Sequence, residues 1–104
     1  MLFKLITMNT LAKFELMEKI SRELVDLKNS QTAVLQKIGK LEVDNMELNN
    51  SKLEATLPDI HTSAAQIIDH ITEILDSFAE VKDKFENNNN ISGLKEQEAI
   101  NSVK

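Results

Sequence analysis

Between Met17 and Leu48 the aliphatic residues recur at alternating steps of three and four, the spacing of one face of a long helix. A heptad register fits this stretch, with a at Met17, Leu24, Gln31, Ile38 and Asn45 and d at Ile20, Leu27, Val34, Leu41 and Leu48. Every d position is aliphatic, and two a positions are polar. A buried polar residue at a costs stability but fixes register and strand number, which makes Gln31 and Asn45 candidate register devices. The flanking positions add direction. Glu23 at g would face Lys28 at e of a parallel neighbour, and Lys37 would face Glu42. Such exposed pairs are worth only ~0–1 kcal/mol each, so they select a partner rather than hold the helix together.

A second pattern is stronger. Ile60, Ala64, Ile67, Ile71, Ile74, Phe78, Val81 and Phe85 again alternate steps of four and three, and Ile68 and Leu75 widen the stripe. A widened stripe suits a bundle better than a two-stranded seam. The opposite side carries Asp69, Glu73, Asp76, Glu80 and Asp83, a solvated acidic face. Phe78 and Phe85 are equally suited to anchor a partner or to pack within the chain's own helix pair.

The two registers do not join. Ser51-Lys-Leu-Glu54 and Thr56-Leu-Pro-Asp59 both resemble helix starts, and Pro58 lacks the N–H a helix interior needs. The expected architecture is all-α. Two long helices, 10–55 and 56–86, form an extended coiled coil or a helical hairpin with a break near Asn49–Pro58. Together they make one coiled-coil domain, 10–86. Residues 1–9 form an apolar lead-in. The Asn-rich segment 87–104 is expected to be a flexible, disordered tail, although Gly93 followed by Leu94 to Ile100 has the makings of a short terminal helix.

Composition narrows the function. The 104 residues hold 2 Gly, 1 Pro and 4% aromatics, thin material for a self-sufficient globular core. One copy cannot hide both stripes from water, and exposed apolar stripes mark interaction surfaces. The formal net charge is −5, which disfavours nucleic acid, and no basic run offers itself to an anionic membrane. The apolar start is too short for a signal peptide, no window approaches a membrane span, and direct membrane insertion is not expected. With no cysteine there is no thiolate chemistry, and a cytoplasmic setting is the expectation.

No catalytic constellation stands out. His61 and His70 are nine residues apart on no common helical face. No zinc, phosphate-loop or nucleophile-elbow motif occurs, so neither a metal nor a cofactor is expected, and the chain reads as non-enzymatic. The residues expected to pack against partners are Met17, Ile20, Leu24, Leu27, Val34, Ile38, Leu41 and Leu48, then Ile60, Ile67, Ile71, Ile74, Phe78, Val81 and Phe85. Gln31, Asn45, Glu23, Lys28, Lys37 and Glu42 would set register and specificity.

Ser30-Gln31 followed by Val34, Ile38 and Leu41, then Leu48-Asn49, Leu57-Pro58-Asp59-Ile60 and Ile74-Leu75, resembles the snapin family over roughly residues 16–86. The resemblance implies a scaffold subunit of the biogenesis of lysosome-related organelles complex 1. It implies a role in endosome and lysosome-related organelle biogenesis and vesicle trafficking, with other coiled-coil subunits and SNARE proteins as partners. The location it implies is cytoplasmic, peripheral to endosomal or lysosomal membranes. The same physics fits two other readings: a self-associating bacterial or phage coiled-coil chaperone or regulator, and a small kinetochore-type subunit.

Overall fold

The computed structural model describes residues 9–103, and these are helical apart from their first residue and two short turns. Helix α1 runs Thr10–Leu48, α2 runs Ser51–Asn88 and α3 runs Ile91–Val103. The all-α expectation holds. The expected lead-in lies, except for Asn9, outside the described residues. Asn9 caps α1: its side-chain oxygen accepts from Ala12 N–H at 2.7 Å.

The helix boundaries differ from those expected, 10–55 and 56–86. The break falls at Asn49–Asn50 alone. Asn49 takes a left-handed conformation, φ 59°, and ends α1 where a glycine often stands. Asn50 caps α2, its side chain accepting from Leu53 N–H at 3.0 Å, so the caps read at Ser51 and Thr56 are not used. Pro58 lies inside α2, with an exposed side chain. Proline within a helix interior typically costs ~3 kcal/mol. Its neighbour Leu57 is buried, so packing keeps this turn helical.

Asparagine 45 holds the turn. Its side chain is 7% exposed, and its amide donates to Asn50 O at 3.1 Å while its oxygen accepts from Asn50 N–H at 3.0 Å. One side chain thus satisfies both backbone groups of the residue that opens the next helix. Asn45, expected as a register device between helices, here fixes the chain's own reversal.

The chain divides into two compact units. The first, Leu24–Leu75, is an antiparallel hairpin formed by the second part of α1 and the first part of α2. Ile38, Leu57 and Ala64 form its buried cluster, with Leu35 against them. Ile71 is also buried. The small Ala64 side chain lets the two backbones approach.

The second unit joins the start of α1 to the end of α2 and α3. Phe14 and Phe85 stack with ring centroids 6.4 Å apart. Lys13 lies over the Phe85 ring at 5.5 Å and Lys95 over the Phe14 ring at 5.3 Å. Lys95 also approaches Glu18 at 3.8 Å, an exposed pair of small worth. The tail expected over 87–104 is corrected here. The polyasparagine run supplies a second turn, with Asn90 left-handed at φ 47°, and α3 follows. Ile91 is 1% exposed, and this burial gives α3 a fixed place in the unit.

Two outcomes test this description. Asn45→Ala should lower stability by about 1–3 kcal/mol, read as a fall in urea midpoint, because Asn50 N–H loses its partner at the turn, while Asn50 O keeps only the Glu54 N–H. Gly39 is mid-helix with nothing within 4 Å of where a Cβ would stand. Gly39→Ala should therefore raise stability by about 0.5–1 kcal/mol. A destabilised Gly39→Ala would contradict the open space at that position.

Candidate docking face

Within the hairpin unit, α1 turns its a and e rows inward. Ile38 and Asn45 at a are buried, and Leu24 and Gln31 at a are half-buried. Leu35 at e packs on the core cluster, and Lys28 and Glu42, also at e, are half-buried. The seam expected at a and d is thus a plus e. It also means that Lys28 and Glu42 flank the chain's own second helix and are not open to a parallel neighbour. Glu23 and Lys37 are exposed, and none of these four charges forms an ion pair among the described residues.

Helix α2 follows the same rule. Leu57, Ala64 and Ile71 face inward, with His61, Ile68 and Leu75 four residues further on beside them. Three residues after each inward row lies an outward one. On α1 this is the d row: Leu27, Val34 and Leu41 are 45–47% exposed. On α2, Ile60, Ile67 and Ile74 are 45–50% exposed. Leu48 and Leu53 extend the two rows to the turn and are also exposed.

Each outward row is rotated about 80° from its seam, in the same sense along its own chain direction. The helices are antiparallel, so equal rotations bring both rows to the same side of the hairpin. In a parallel pair they would lie on opposite sides. The result is a two-lane aliphatic face in which Leu27 and Ile74, Val34 and Ile67, and Leu41 and Ile60 share levels. The acids Asp69 and Glu73 lie on the far side of α2 and are exposed.

In the second unit Phe85 and Phe14 pack on each other, so Phe85 serves the chain's own helices; Phe78 and Met17 are half-buried. Ile20 and Val81 remain 40% and 50% exposed. The sequence reading missed Phe14, Leu57 and Ile91, three of the buried side chains. Phe14 and Leu57 could have been found by extending the inward rows, since Phe14 continues the e row and Leu57 precedes Ala64 by seven. Ile91 follows an asparagine run and carried no periodic signal.

Among the described residues no group of three His, Cys, Asp or Glu side chains is placed to hold a metal ion, and no helix is long and apolar enough to cross a membrane. A shallow cleft of about 290 Å³ beside the turn is walled by Met46, Leu53, Leu57 and Pro58, with Glu42 and Glu54 at its sides. Its apolar walls offer contact to an apolar group. No protein-family model, curated protein or solved structure matches this chain.

The two rows should respond differently to substitution. Ile38→Ala or Ile71→Ala should cost about 2–5 kcal/mol in the isolated chain. Ile67→Ser, on the outward lane, forfeits only the buried half of that side chain and should cost the monomer about 1 kcal/mol. Denaturant unfolding at high dilution makes the comparison, and equal losses at both positions would contradict the assignment of rows.

Proposed function

We propose that this chain is a non-catalytic assembly subunit that works by docking helices of other chains on the aliphatic face of its hairpin. The observation that supports this reading is the pair of half-exposed lanes through Val34 and Ile67. Each level carries an aliphatic side chain from both helices, which chance scatter of surface leucines does not produce. Burying the remaining half of eight such side chains would contribute on the order of 6–12 kcal/mol before association costs. The partner's own apolar side chains add to this, against an association cost of about 4–15 kcal/mol.

The finer assignment rests on the sequence resemblance alone. The snapin-like residues Ser30-Gln31 and Leu57-Pro58-Asp59-Ile60 support a hetero-oligomeric scaffold subunit in endosome and lysosome-related organelle biogenesis, with other coiled-coil subunits and SNARE proteins as partners. A self-associating subunit is the second reading. It is favoured by the edges of the face, which carry no excess of either charge: Lys37 and Asp44 on α1, and Thr56, Ser63 and His70 on α2.

The test is affinity purification of the tagged chain from its source, followed by identification of what co-purifies. The Val34→Lys, Ile67→Lys double variant should lose its helical partners, its own untagged copy included. The Asp69→Asn, Glu73→Gln variant, changed on the far side, should keep them. Retention of the same partners by the lysine variant would overturn this function.

A further inference from the structure

We infer that the occupant of the aliphatic face is a second copy of this chain, and that two hairpins pair face to face as a four-helix bundle about a two-fold axis parallel to their helices. The inference rests on the docking function above in its self-associating reading and names the partner. Three features of the Leu24–Leu75 unit carry it: the levels of the lanes, the size of the face and the chemistry of its edges.

A two-fold axis along the helices leaves every residue at its own height. The Val34 and Ile67 level of one copy then meets the Val34 and Ile67 level of the other, and each layer holds four aliphatic side chains. Helix α1 of one copy lies beside α2 of the other, so every neighbouring pair of helices is antiparallel. This is the layered core of an up-and-down bundle. Such an interface is isologous, and self-complementarity is what it demands.

The face is large enough. The lanes run from the Leu27 level to Leu48 beside the turn, about 30 Å at 1.5 Å per residue, and two helices are about 20 Å wide, giving ~600 Å² in projection. A stable pairing buries ~800 Å² of accessible surface per partner, and accessible surface exceeds its projection.

The edges are compatible with this arrangement of copies. Seven-residue steps along the outer edge of α1 carry Ser30, Lys37 and Asp44, and along that of α2 carry Thr56, Ser63 and His70. Pairing at equal height sets Lys37 against Ser63 of the second copy, Asp44 against its Thr56 and Ser30 against its His70. Each charge meets a neutral hydroxyl, and no like charges meet. The acids Asp69 and Glu73 face away from the second copy.

Mass in solution, measured on the full chain across a dilution series, tests this. The expected result is twice 11.8 kDa, with dissociation on dilution. Val34→Lys or Ile67→Lys should give a monomer that keeps its helical circular dichroism. The edges supply a second measurement that leaves the fold untouched. Ser63→Lys sets like charges against Lys37 and should weaken pairing by about 2- to 10-fold at low salt, and Ser63→Glu should tighten it by a similar factor. Both effects should fade near 0.5 M salt, where screening is short-ranged. A dimer indifferent to lysine at Val34 and Ile67, or one on which Ser63→Lys and Ser63→Glu act alike, overturns the arrangement. A monomer that binds an apolar dye on its face overturns the second copy as occupant but leaves the docking function standing. A monomer that binds no dye overturns both.

Discussion

Two bonds from one buried amide impose the direction in which the second helix leaves the first. Asn45 accepts from Asn50 N–H and donates to Asn50 O, at 3.0 and 3.1 Å. With Asn49 left-handed between them, the chain reverses within two residues. A looser junction would let α2 rotate or continue α1. The tight one makes the helices antiparallel, and antiparallel pairing decides where every other side chain of the hairpin unit goes.

The first consequence concerns the apolar rows. Each helix carries more aliphatic residues than one seam between two helices can hide. The rows centred on Ile38 and Ile71 enclose one another, and those through Val34 and Ile67 are left half-exposed. Reversal gathers the leftover rows on one side. A continuous aliphatic face, in place of two separate stripes, is therefore a product of the turn. The polar edges of that face are sparse in charge, and the acids Asp69 and Glu73 stand exposed on the far side.

The second unit uses different chemistry. Aromatic stacking of Phe14 on Phe85 and two lysines over their rings hold its helices, with Ile91 enclosed. Asparagine again makes the turn, at Asn90. Asn-Asn pairs thus precede both α2 and α3, because asparagine tolerates the left-handed conformation and can cap a following helix. The run Asn87–Asn90 has a tail-like composition, and only the burial of the isoleucine after it distinguishes a turn from a tail.

Sequence by itself determined the helices and their amphipathic rows, because periodicity of three and four is a local property of the chain. It also marked Asn45 as a polar residue in an apolar row. Tertiary structure alone decided which rows are inside. Rows a, d and e of α1 are neighbours on one cylinder, and a heptad pattern cannot say whether a pairs with d or with e. That choice follows from the rotation at which α2 returns, which is set by the geometry of a two-residue turn and by the small volume of Ala64 across from Ile38. The e-row charges Lys28 and Glu42 were drawn into the seam flank by the same rotation, and the d-row aliphatics were left half-exposed.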